Sequence, residues 1–115
     1  MKIALCQINA TVGDFENNCK KILSFYSNSV DANADIAVFP ELAITGYPPQ
    51  DLLLEQSFVD RNVQELEALT SVVGDVPMVV GYVQPIGKNL YNSAALLQNG
   101  EISGRYDKVL LPTYD

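Results

Sequence analysis

Two short apolar runs, Lys2–Asn9 (KIALCQIN) and Asp35–Phe39 (DIAVF), bracket a stretch with a different pattern. Between them Phe15, Cys19, Ile22, Leu23, Tyr26 and Val30 recur at offsets of 0, 4, 7, 8, 11 and 15 residues. That spacing lines up one face of an amphipathic helix, whereas the flanking runs read as mostly buried strands. A strand–helix–strand opening of this kind commits the chain to a layered α/β design. Ala10–Gly13 reads as a turn and Asp31–Ala34 as a short loop. Asp14 is placed to cap the helix, with Asn17 and Asn18 in its first turn. Pro40 stops the second strand.

The rest of the chain extends the layer. Glu41–Gln50 holds Gly46 and two prolines, which mark it as a loop. A second helix is predicted from about Glu55 to Val73, with Phe58, Val59, Val63, Leu66, Leu69 and Val73 on its apolar face and Gly74-Asp75 ending it. Val76–Val83 reads as a third strand, Gln84–Lys88 as a turn and Leu90–Gln98 as a fourth strand. Asn99-Gly100 signals a tight hairpin into a fifth strand, Glu101–Tyr106, after which Leu110-Leu111-Pro112 leaves the sheet. The predicted order is β-α-β-α-β-β-β, a mixed sheet with helices on one face. A finished sandwich covers both faces, so residues 1–115 are expected to form a partial domain, an unfinished layer. A sheet face carrying Ile3, Leu5, Val38 and Val80, or its alternating counterpart, is expected to face water, and the isolated chain to be unstable and to associate.

Composition excludes several functions. Seven Lys and Arg stand against fourteen Asp and Glu, a formal charge of −7. That balance disfavours a nucleic-acid or anionic-membrane partner, both of which call for basic patches. No apolar stretch is long enough to span a bilayer, and Met1-Lys2-Ile3 runs straight into a strand without a signal-type segment, so a cytoplasmic setting is expected. The chain has no histidine, so it builds neither a Ser-His-Asp nor a Cys-His pair, nor any histidine-ligated metal site. Its two cysteines, Cys6 and Cys19, are too few for a disulfide framework or a four-cysteine zinc site. Cys6 lies mid-strand and Cys19 on the apolar helical stripe, where cysteine behaves as a small hydrophobe rather than a nucleophile.

Two charged residues fall where chemistry gathers in α/β sheets. Glu41 follows a buried strand directly, and ligands in open α/β sheets collect at the carboxyl ends of strands. Lys108 follows the predicted fifth strand. Position alone leaves a solvated loop glutamate and an edge-protecting lysine as alternatives. Phe39-Pro40-Glu41-Leu42-Ala43-Ile44-Thr45-Gly46-Tyr47, however, resembles the glutamate motif of the nitrilase, or carbon–nitrogen hydrolase, superfamily. Tyr106-Asp107-Lys108-Val109-Leu110-Leu111-Pro112 resembles its lysine motif, 67 residues further on. Gly81-Tyr82 and Leu90-Tyr91-Asn92-Ser93-Ala94 are similar to the strand pair that precedes that lysine. Within the superfamily, Gln7–Asn18, the Tyr47-Pro48-Pro49-Gln50-Asp51 run and Leu111-Pro112-Thr113-Tyr114-Asp115 resemble the amino-terminal glutaminase domains of glutamine-dependent NAD synthetases. Asn17 departs from the glycine frequent there.

The resemblance implies a nitrilase-type α-β-β-α sandwich, with Glu41 and Lys108 catalytic and Tyr47 and Tyr114 around a glutamine side chain. For Tyr47, packing on Pro48 and Pro49 is an equal alternative. The resemblance also implies a cysteine nucleophile some tens of residues after Lys108, so residues 1–115 alone are expected to be inactive. ATP and magnesium are implied only for a downstream synthetase domain, which uses the ammonia to make NAD from nicotinic acid adenine dinucleotide; no cofactor is expected in this chain. Homo-oligomerisation is implied as well. A stand-alone amidase or nitrilase of the same superfamily, and a non-catalytic assembly module, remain the alternatives. Retention of both Glu41 and Lys108 counts against the module.

Overall fold

The computed structural model describes residues 1–112. Strands β1 (Ile3–Leu5), β2 (Ile36–Val38), β3 (Met78–Ile86), β4 (Asn89–Gln98) and β5 (Glu101–Leu110) form one sheet in chain order. β1, β2 and β3 run parallel, and β3, β4 and β5 form an antiparallel meander. Helix α1 (Phe15–Asp31) crosses from β1 to β2 and helix α2 (Gln56–Val72) from β2 to β3. The predicted mixed sheet with helices on one face is therefore the observed one. Asp14 caps α1 as its sequence position implied, accepting from the Asn17 backbone N–H at 3.4 Å.

Strand lengths depart from expectation for two reasons. β1 and β2 are only three residues long because Pro40 has no N–H to continue the parallel ladder, and among the described residues β1 has β2 as its only neighbour. The Cys6 N–H still donates to the Val38 carbonyl at 2.8 Å, but among the described residues Gln7–Asn9 have no strand to pair with. The antiparallel strands are longer than expected because β4 has partners on both sides from Tyr91 to Leu97. β3 continues through Pro85 to Ile86, which shrinks the predicted turn at Gln84–Lys88 to Gly87-Lys88. β5 continues through Lys108 to Leu110. A 3-10 turn at Gln50–Leu54, absent from the sequence-based reading, leads into α2.

The core lies between the helices and one sheet face. Ile22, Tyr26, Leu66 and Leu69 from the helices pack with Ala37, Met78, Val80, Tyr82, Ala95 and Leu97 from the sheet. On the other face Ile3 is 54% and Leu5 72% exposed, and Val38 pairs with Val79, so these residues share the uncovered side. Val80, grouped with them above, belongs to the buried side; a strand's period of two sends it opposite Val79.

One core residue is polar. Asn62, fully buried on α2, donates to the Val83 carbonyl at 2.6 Å and accepts from the Val83 N–H at 3.0 Å. β2 pairs β3 only at Met78 and Val79, so the Asn62 amide takes the place of a strand neighbour further along. Asn62→Ala is expected to leave both backbone groups buried without partners and to cost roughly 1–3 kcal/mol. Denaturant unfolding of the variant against the parent checks this; an unchanged midpoint would contradict it.

Candidate active site

The Glu41 loop starts where β2 stops. Phe39 is buried and its N–H still reaches the Val79 carbonyl at 2.8 Å, which anchors the strand end. Pro40 then turns the chain, and Glu41 emerges at the carboxyl end of a parallel strand. Leu42, fully buried, has a φ of 48°. Holding a non-glycine residue in this left-handed region costs on the order of 1–3 kcal/mol, and the surroundings enforce it. The Gly46 N–H closes the turn onto the Leu42 carbonyl at 2.8 Å.

Two glycines let the loop approach its neighbours. A Cβ on Gly81 of β3 would lie 2.4 Å from the Leu42 nitrogen and 2.5 Å from the Pro40 oxygen. Gly46, at φ +82°, has no room for a side chain because the Val12 nitrogen would be 2.5 Å away. The fully buried Asn18 of α1 joins the two loops. Its amide donates to the carbonyls of Thr11 (2.8 Å) and Ile44 (3.1 Å), and its side-chain oxygen accepts from the Thr11 N–H (2.8 Å). From the sequence Asn18 is legible only as a residue of the first helical turn. A polar residue on the apolar stripe between Phe15 and Cys19 was the available signal.

Lys108 arrives from the opposite side of the sheet's centre line. Asn92 pairs with Val109 but Ser93 pairs with Asp107, so Lys108 is the extra residue of a β-bulge. Its ammonium donates a hydrogen bond to Glu41 Oε1, and the Asn92 amide reaches Glu41 Oε2 at 3.4 Å. These residues, with Phe39, Pro40, Gly81, Ser93, Ala94 and Tyr106, surround a cavity of about 120 Å³. It opens on the sheet face away from the helices. Asn92 was noted in the sequence only as part of a motif; its contact with Glu41 depends on the pairing of β4 with its neighbours.

The pair is more exposed than a buried charge pair: the Glu41 side chain is 51% and that of Lys108 56% accessible. At such exposure an ion pair contributes little to stability, and its effect is on orientation and ionisation. The Lys108 hydrogen bond holds the Glu41 carboxyl below the usual carboxylate range; partial burial opposes this and Asn92 adds to it. Glu41 in turn raises Lys108, through the same hydrogen bond and its charge. Both groups are therefore ionised at neutral pH.

The remaining candidates lie elsewhere. Tyr47 does not line the Glu41 cavity. It is 67% exposed and borders a neighbouring groove with Pro48, Pro49, Gln50, Leu53, Leu111 and Pro112, following a cis Tyr47–Pro48 peptide. Tyr114 lies outside the described residues. Cys6 is buried on the helix side, its sulfur 3.4 Å from the Ser29 hydroxyl. Cys19 is buried too, and desolvation, reinforced by Glu65, pushes its thiol up to about 12. Among the described residues no three His, Cys, Asp or Glu side chains gather as a metal site, and no helix is long and apolar enough to cross a membrane.

Residues 2–115 match the carbon-nitrogen hydrolase family. The chain belongs to that family. It is 39% identical over 117 residues to the glutamine-dependent NAD(+) synthetase of Thermotoga maritima, an alignment covering 99% of this chain and 20% of that protein. The structure of glutamine-dependent NAD+ synthetase from Acinetobacter baumannii superposes with a TM-score of 0.86 at 34% identity, covering 98% of this chain and 22% of that one. An amidase from Nesterenkonia sp. superposes at 0.81 and 26% identity, covering 99% of this chain and 44% of that one. This carbon–nitrogen hydrolase chain thus spans about a fifth of the length of the curated relatives it matches. Its fold is the nitrilase fold.

The charge pair has a defined pH window. Glu41's folded value is depressed, so the pair's contribution is complete above the ordinary carboxylate value of about 4.3 and is lost as pH falls through the lower folded value. Lys108's value is raised, so on the alkaline side the pair is complete below about 10.4 and is lost as pH climbs through the higher folded value. Carboxyl-carbon NMR titration is expected to give Glu41 a midpoint below that of the chain's exposed glutamates. Gly81→Ala, by pushing the 40–42 backbone away, is expected to bring that midpoint back to the ordinary range. An unchanged Glu41 midpoint in that variant would show that the close approach does not hold the pair together.

Proposed function

We propose that this chain supplies the acid–base and oxyanion half of a glutaminase site, which hydrolyses glutamine to provide ammonia for NAD synthesis. The contact between Glu41 and Lys108 at the mouth of the cavity carries this reading. The stronger likeness to an NAD synthetase structure than to the amidase, 34% against 26% identity, favours glutamine over simpler amides.

The chemistry follows from the charges. A thiol near its unperturbed pKa of about 8.5 is mostly protonated at neutral pH, and an ionised carboxylate beside it takes the proton as sulfur attacks the amide carbon. Lys108, cationic throughout, stabilises the oxyanion that forms; one such donor is worth on the order of 3–4 kcal/mol. Collapse of the tetrahedral intermediate expels ammonia, which receives the proton that Glu41 took from the thiol. Glu41 then removes a proton from water, which attacks the thioester and releases glutamate and the thiol. The Lys108 contact leaves Glu41 a weak base but keeps it ionised and aimed.

The nucleophile in this scheme comes from outside residues 1–115, because Cys6 and Cys19 are buried on the helix side, away from the cavity. The Nesterenkonia amidase has an active site cysteine to which acrylamide adds. A synthetase domain joined to the glutaminase domain would receive the ammonia, and ATP and magnesium belong to that domain. Tyr47, exposed at the groove it forms with Pro48, Pro49 and Leu111, is assigned to substrate contact by its motif, and Tyr114 is assigned the same role by motif alone.

Ammonia release from glutamine, assayed on the protein that carries this chain together with its thiol, tests the proposal. Glu41→Gln is expected to lower kcat by about 10²–10⁴-fold, and Lys108→Met by about 10²–10³-fold. Faster turnover of a small aliphatic amide than of glutamine would move the chain to the amidase reading. Full activity in Glu41→Gln, or loss of activity in Cys6→Ala, would overturn the assignment of roles.

A further inference from the structure

Lys108 reaches Glu41 from a bulge in β5, and the residues around that bulge decide which face its side chain takes. Ser93, 2% exposed, donates its hydroxyl to Asp107 Oδ1 at 2.7 Å. Arg105, two residues back on the same strand, meets the same carboxylate, with Nε 3.1 Å from Oδ1 and Nη2 3.3 Å from Oδ2. Across the sheet Ser93 pairs with Tyr82, a residue of the helix-side core. Asp107 is therefore held on the helix side, while its neighbours Tyr106 and Lys108 line the cavity on the other face. Immediately after Asp107 the register slips, and Val109 rather than Lys108 pairs with Asn92.

We propose that Asp107 is a positioning residue, latched by Ser93 and Arg105 so that the register slip falls at Lys108 and delivers its ammonium to Glu41. A one-residue shift along a strand sends each side chain to the opposite face, so the slip must fall after Asp107, not before it, for Lys108 to face Glu41. A bulge is a local disruption of the ladder, and a hydrogen bond from a buried hydroxyl to a carboxylate beside it specifies where that disruption occurs. Without the latch the extra residue can fall one place earlier, at Asp107, which pairs Lys108 with Ser93 and turns it to the helix side, away from Glu41.

This inference adds to the catalytic reading of Glu41 and Lys108, but its test does not require turnover. Carboxyl-carbon NMR titration of Glu41 in the full chain reports the Lys108 contact, and Lys108→Met sets the scale for losing it. Ser93→Ala changes no charge, and is expected to raise the Glu41 midpoint by at least half of the rise seen in Lys108→Met. Asp107→Ala is expected to do the same, although simple removal of a nearby negative charge would lower the midpoint. The sign therefore separates repositioning from electrostatics. Asp107 is partly exposed, so its truncation keeps the core intact and serves if Ser93→Ala does not fold. Ser93→Thr, which keeps the hydroxyl, is expected to keep the low midpoint. Unchanged or lowered midpoints in both alanine variants would overturn the proposal. Absence of glutaminase activity with these titrations as expected would instead refute the functional reading alone.

Discussion

The missing side chain of Gly81 is the constraint on which the site depends. It allows the backbone at Pro40–Leu42 to lie against β3 at a distance that even a methyl group would prevent. That contact sets where Glu41 leaves the sheet, and the left-handed Leu42 is its local cost. Asn18 and the Gly46 turn hold the far end of the same loop, so a segment without helix or strand is fixed at both ends by buried polar contacts. The site rests on backbone geometry more than on side-chain packing.

Fixing the loop matters because the charge pair cannot hold itself. Two half-exposed ions in contact with solvent gain little from meeting. Here the geometry is imposed from elsewhere: the loop delivers the carboxylate and β5 delivers the ammonium. Their meeting then keeps both ionised. An ionised carboxylate beside a permanent cation is the arrangement amide hydrolysis needs, with a proton acceptor and an oxyanion donor side by side.

The two faces of the sheet have separate roles. The helix side holds the core, both cysteines and the latch at Asp107. The other side carries the cavity, along with exposed apolar residues such as Ile3 and Leu5. Alternation along β5 links them, since Asp107 and Lys108 are consecutive but point opposite ways. A polar contact on the packed side thereby acts on a charge on the open side.

Much of this could be read from residue order. Helical spacing in Phe15–Val30 and Phe58–Val73, apolar runs, Pro40 and Asn99-Gly100 located both helices and all five strands, because local periodicity is written in neighbouring residues. The motifs around Glu41 and Lys108 singled out the two residues that meet. What the sequence left open depends on partners distant along the chain. Strand ends moved because ladder length is set by the neighbour: β1 stops where β2 stops, and β5 runs on along β4 as far as Tyr91. Val80 changed face, and Tyr47 fell outside the cavity, because one register and one loop path were decided by packing. The roles of Asn18, Asn62 and Asn92 were not legible at all. An amide looks the same in a sequence whether it is solvated or buried against a backbone, and only the tertiary structure brings that backbone within 3.5 Å.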